Sequence, residues 1–136
     1  MRVEHWLLSL LALPSACCGL ASSVTRLVGC ISAPDLARIG AELMKERYAP
    51  MRKMIASFGA RAYNLSEGLG TFIVEDKEIC PQKLYGHQGL AYGAVHGIFY
   101  DPAAQKGVVI LTSGCSEARN GVLADINKAI MKKVFR

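Results

Sequence analysis

The sequence predicts an α+β fold: two helices, a meander of about four antiparallel strands, and a C-terminal helix packed on one face of the sheet. Three observations carry this. From Ser32 to Phe58 apolar residues recur at helical spacing, and after Gly59 the chain turns to β-formers. The connections between successive strand segments are short, which implies antiparallel pairing. The last stretch is amphipathic again, and its apolar face needs a sheet to cover.

The elements follow in chain order. "SAPD" offers Ser32 as N-cap with Asp35 three residues on, a capping box, and puts Pro34 in the first turn, where its missing N–H is harmless. Leu36, Ile39 and Leu43 then form an apolar stripe, with Arg38, Glu42 and Lys45 facing away, and Tyr48-Ala49-Pro50 stops the helix. A second short helix is expected from Met51, Met54, Ile55 and Phe58, spaced as one buried stripe. Gly68 to Val74 reads as a strand, and Glu75-Asp76-Lys77-Glu78 as a charged turn. Leu84 to Ala91 and Gly93 to Tyr100 are two further strands; Asp101 to Lys106 is a hairpin connection into a fourth, Gly107 to Ser113. Asn120 can cap a last helix with Leu123, Ile126, Ile130 and Val134 on one face. Lys132, Lys133 and Arg136 sit at its C-terminus, where the helix dipole favours positive charge.

At 136 residues the chain fits one domain, and 51% hydrophobic with 20% charged residues is a globular composition. The net charge of +5 is dispersed over Arg38, Lys45, Arg47, Arg52, Lys53, Arg61, Lys128, Lys132, Lys133 and Arg136. No aromatic residues interleave with these in a binding pattern, so nucleic acid is not an expected partner. Cys17, Cys18, Cys30, Cys80 and Cys115 include no C-x-x-C and no zinc spacing, and read as free thiols; neither a metal nor a cofactor is expected.

Residues 1–26 form a separate leader. One early arginine precedes an apolar run from Trp6 to Leu13, then small residues, the layout of a secretory signal peptide with a cleavage signal at Gly19-Leu20-Ala21. Ser15-Ala16-Cys17 partly resembles a lipoprotein cleavage site, but Pro14 stands where an aliphatic residue belongs. The apolar run is too short for a stable membrane span. The other readings are a buried helix, or a start not native to the domain behind it. A true signal peptide implies an extracytoplasmic protein; otherwise the chain is cytoplasmic.

"SAPDLARIGAELM", a glycine-bearing strand, "YGHQGLAYG", "GIFYDPAAQKGVVILTSG" and a terminal amphipathic helix stand in an order that resembles the C-terminal portion of the beta-lactamase-related serine hydrolases. That family takes in class C beta-lactamases, D-alanyl-D-alanine carboxypeptidases, penicillin-binding proteins and related esterases. The resemblance covers residues 27–136 and implies part of a beta-lactamase/transpeptidase-like fold. It makes His87-Gln88-Gly89 the family's third motif, on the inner edge strand. In a strand His87 and Gly89 share a face and Gln88 takes the other. His87 could steer a substrate carboxylate or share protons with a nucleophile. Gly89 keeps no side chain between substrate and backbone. Leu90 stands where the family offers a backbone N–H to the oxyanion hole, a donor matched to transition-state charge.

The departures are equally informative. No serine in the chain has lysine three residues later, so the family's Ser-x-x-Lys nucleophile is absent. No tyrosine has asparagine two places on, and no Gly-x-Ser-x-Gly is present. The resemblance therefore implies a truncated member of the family, inactive alone, whose partner would be a chain carrying the missing N-terminal half, or a second copy of itself. A small binding module reusing the family cleft is the alternative. A hydrolase built on Ser113 or Ser116 with His87 or His96 lacks an identifiable carboxylate to orient the histidine. His96 reads as structural, and Tyr85 and Tyr92 as packing or cleft-rim residues.

Overall fold

The computed structural model of the chain describes residues 6–10, 31–57 and 64–136. Among these, the strands are β1 (Trp6–Leu10), β2 (Ala56–Ser57), β3 (Leu65–Gly68), β4 (Thr71–Val74), β5 (Leu84–Ala91), β6 (Ala94–Asp101) and β7 (Lys106–Leu111). They form one sheet in the order β1-β7-β6-β5-β4-β3-β2. The pairs from β2 to β7 are antiparallel, and β1 lies parallel to β7. Two α-helices, α1 (Ala33–Leu43) and α2 (Asp125–Phe135), complete the α+β architecture.

Five longer antiparallel strands, β3 to β7, stand where about four are expected. The added strand comes from Gly68–Val74, which is not one strand but the end of a hairpin. Gly68 pairs with Thr71 across Leu69-Gly70, and Gly70 has φ 65, a conformation open to a residue without Cβ. The β5–β6 and β6–β7 hairpins match the expected segments. Asp101 holds the second in place, its carboxylate accepting from the N–H groups of Ala103 (2.8 Å) and Ala104 (3.2 Å). The charged turn after β4 is held likewise, by Asp76 accepting from the Glu78 N–H at 2.8 Å. Trp6–Leu10 pairs with Gly107–Leu111 although no strand is expected there, while the cleavage signals and Cys17, Cys18 and Cys30 lie outside the described residues.

α1 starts as expected: the Ser32 hydroxyl accepts from the Asp35 N–H (3.3 Å) and donates to the Asp35 carboxylate (2.7 Å). Such a cap contributes about 1 kcal/mol. The Ser32 hydroxyl, then Arg38, holds the Asp35 carboxyl below its ordinary range. The helix ends earlier than expected, at Leu43, and its buried face is Ala33, Ala37, Gly40 and Ala41. Ile39, placed in the expected stripe, is 45% exposed. Small residues win that face because they let the helix lie close on Val109.

The second expected helix is replaced. A 3-10 helix spans Glu46–Arg52 with Pro50 inside it, and its tightness leaves no helical stripe beyond. Met54 and Ile55 are 65% and 67% exposed, and the Ile55 N–H donates to the Glu67 carbonyl at the margin of β2 and β3. Phe58 lies outside the described residues.

α2 covers one face of the sheet, as predicted, but starts at Asp125 with no side-chain cap from Asn120. Leu123 is buried ahead of the helix, and the buried helical face is Asn127, Met131 and Val134. Phe72, Val74, Leu84, Phe99, Val108 and Ile110 meet it from the sheet. Alternate residues face the other way: Val109 packs on Ala33 and Ala37, and Tyr100 on Ala41 and Met44. The helices therefore flank the sheet on opposite faces. No helix among the described residues is long and apolar enough to cross a membrane.

Candidate functional site

β5 carries the residues singled out by the sequence. It pairs with β6 along its whole length, Tyr85↔Tyr100 to Ala91↔Ala94, but with β4 only over Leu84–Gly86. Among the described residues no strand pairs with its outer edge from His87 to Ala91. The chain reaches β6 through Tyr92-Gly93, with φ of 52 and 77, the two positive values of a type I′ turn.

That turn fixes which backbone groups face outward. Pairs in such a hairpin alternate, starting from the hydrogen-bonded pair beside the loop, so the N–H groups of Leu90 and Val95 point away from each other. Val95 behaves accordingly, donating its N–H to the Thr112 Oγ1 at 3.1 Å. The Leu90 N–H points the opposite way, off the outer edge of β5. His87 and Gly89 are exposed and on one face, and Gln88 is buried on the other. The His87 ring stacks on Phe72 at a centroid distance of 4.3 Å. A Cβ added at Gly89 would meet no atom of the described residues within 4 Å, so among these the space above it is open.

The buried face of the same strand holds a polar anchor. Gln88 Nε2 donates to the Val122 carbonyl (2.6 Å), and Gln88 Oε1 accepts from the Ala124 N–H and from Asn127 Nδ2, both at 3.0 Å. Asn127 Nδ2 also donates to the His96 carbonyl at 3.3 Å, while Asn127 Oδ1 has no partner among the described residues. Gln88, the variable residue of the motif, thus ties the start of α2 to the site strand. Removing its amide would strand donors in the core at about 1–3 kcal/mol each. The alternation of β5 put Gln88 on this face; Asn127 was hidden because it sits on an otherwise apolar helical face.

Other expected residues fall outside this arrangement. Tyr92 is fully exposed at the hairpin tip, while Tyr85 packs near Tyr100 with the Arg52 guanidinium 5.9 Å from its ring centroid. Ser116 Oγ accepts from the Ala118 N–H (3.1 Å), Ser113 is exposed, and among the described residues neither serine hydrogen-bonds His87 or His96. Nor does a carboxylate bond His87 or His96 among the described residues. The geometry gives the Ser113 or Ser116 hydrolase no support. Cys80 and Cys115 are free thiols.

Two cavities lie elsewhere. One of about 350 Å³ opens between the Asp76 turn and α2, beside Lys128 and Lys132, and one of about 400 Å³ lies along α1 beside Tyr48. Neither is lined by His87, which is exposed on its strand face; among the described residues the chemistry there is that of one wall offering donors. Comparison with protein-family models, with curated proteins and with solved structures gives no match for this chain.

Proposed function

We propose that residues 27–136 are the third-motif segment of a beta-lactamase-related serine hydrolase fold, which binds an acyl substrate along β5 but does not cleave it alone. One observation carries this reading: His87 and Gly89 on one face of β5, and the outward Leu90 N–H, lie along a stretch that β4 does not pair and no other strand among the described residues covers. β5 is thus an inner strand of the sheet with part of its edge open, not the edge strand expected. The roles follow from the chemistry of each group. His87 offers an N–H, or a full charge, to a substrate carboxylate. Gly89 lets the substrate lie against the backbone. The Leu90 N–H stands ready for an oxygen that gains charge when an acyl carbon is attacked.

The attacking group must come from elsewhere. In a complete site a serine hydroxyl would add to the acyl carbon, its proton passing to the lysine of Ser-x-x-Lys. The oxyanion would then collapse, expelling the amine or alkoxide and leaving an ester that water hydrolyses. Neither Ser-x-x-Lys nor Tyr-x-Asn is in this sequence, so that half of the reaction would have to be supplied from outside these residues. A stand-alone binding module using the same wall is the second reading, favoured by the exposure of His87 and Gly89 on that strand face.

The test is intact-mass analysis of the chain after incubation with a labelled penicillin and with a fluorophosphonate. The expected mass is unchanged with both. A covalent adduct on any serine overturns the proposal.

A further inference from the structure

His96 is exposed, yet it is held from two sides. It lies directly opposite Gly89 in the β5–β6 ladder, on the face that carries His87. Its ring Nδ1 accepts from the Thr112 N–H at 3.3 Å, and its carbonyl accepts from the buried Asn127 Nδ2 at 3.3 Å. Thr112 is itself fixed: only 4% exposed, its hydroxyl accepts from the Val95 N–H and donates to the Val95 carbonyl at 2.6 Å. An imidazole whose Nδ1 lone pair is engaged by an N–H carries its proton on Nε2. The two ring nitrogens point in nearly opposite directions, so the Nε2–H is turned away from Thr112, on the exposed face that His96 shares with Gly89.

We infer that His96 Nε2–H and the gap over Gly89 form a second ligand subsite, taking an acceptor oxygen of a bound acyl compound, a carbonyl or carboxylate. This rests on the proposed binding of acyl substrates along β5 and adds a contact from β6. A metal ion is the wrong occupant: ligation through Nε2 would move the proton to Nδ1, where it would face the Thr112 N–H. A carbonyl or carboxylate oxygen needs only the donor already present. Gly89 matters in the same way, since any side chain there would fill the space such an oxygen occupies. Thr112 is a positioning residue, acting through the tautomer of His96.

The experiment uses the full chain labelled with 15N-histidine, and reads ring nitrogens by long-range 1H–15N correlation during titration with N-acetyl-D-alanyl-D-alanine. The free protein should show His96 as the Nε2–H tautomer. Thr112→Val keeps the main-chain N–H that bonds Nδ1, so His96 should hold the Nε2–H tautomer in that variant too. On titration the Nε2 resonance of His96 should move together with the His87 ring signals. His96→Phe, which keeps a flat ring without a donor, should weaken binding roughly tenfold, as expected for one lost hydrogen bond, and His96→Gln should recover part of it. Movement of His87 alone, or unchanged affinity in His96→Phe, overturns the inference and leaves the β5 site standing. No movement of either histidine at saturating dipeptide overturns both. An Nδ1–H tautomer in the free protein overturns the inference directly.

Discussion

Two glycines of β5 do different work, and a methyl group separates them. A Cβ on Gly86 would come within 1.9 Å of the Ile98 carbonyl oxygen and 2.8 Å of the Phe99 Cα, both backbone atoms that cannot turn aside. Gly89, three residues on, has open space above it. Gly86→Ala should therefore destabilise the fold by about 2 kcal/mol or more. Gly89→Ala should stay within about 0.5 kcal/mol in stability while weakening acyl-ligand binding. Urea unfolding of both variants, with dipeptide titration of the second, checks the pair; equal destabilisation would remove the distinction. The sequence shows both glycines but cannot rank them, because the Ile98 carbonyl is a neighbour only once β6 pairs with β5.

At the scale of elements, apolar spacing predicted strands better than helices. β5 and β6 are split by the turn Tyr92-Gly93, which takes Gly93 out of the expected second strand, and the match is otherwise close. The helical stripes were displaced because burial is decided by what the helix meets. α1 presents alanines to Val109 and leaves Ile39 outside; the chain after Pro50 turns to pair with β3 and leaves Met54 and Ile55 in solvent. Met131, in contrast, is 0% exposed under the sheet. Met131→Ala should cost about 2–5 kcal/mol, and Met54→Ala or Ile55→Ala within about 0.5 kcal/mol, measured as shifts of the urea midpoint. Comparable losses would restore the buried stripe read from spacing.

For the whole molecule, the two helices grip opposite faces of the sheet, and Tyr100 reports on the α1 side. Its ring is 1% exposed against Ala41 and Met44, and burial raises its pKa above the ordinary value of 10.0, with Arg52 and the Thr71 hydroxyl opposing. The folded state therefore favours the neutral phenol more than the unfolded chain does. The resulting stability is fully present below about pH 10 and is lost as pH rises through the folded value. Alkaline unfolding of the chain should steepen above about pH 10, and Tyr100→Phe should flatten that limb while leaving the rest of the profile unchanged in shape. An identical alkaline limb in the variant would assign the loss to another group.

By itself, the sequence determined the α+β class, the Ser32 cap of α1, the β5–β6–β7 hairpins and the position of His87 and Gly89 on one face of a strand. These rest on local rules of period, turn chemistry and capping, which act within a few residues. Only the tertiary structure decided that β4 leaves the edge of β5 open beyond Gly86, so that "YGHQGLAYG" presents both a face and an outward Leu90 N–H. It also decided that Gln88 and Asn127 join α2 to the site strand, and that His96, read as plain structure, stands opposite Gly89 with its tautomer set by Thr112. Those relations join residues on different elements. Nothing in local spacing encodes them, because hydrogen bonds and close contacts of that range exist only after the sheet has chosen its register.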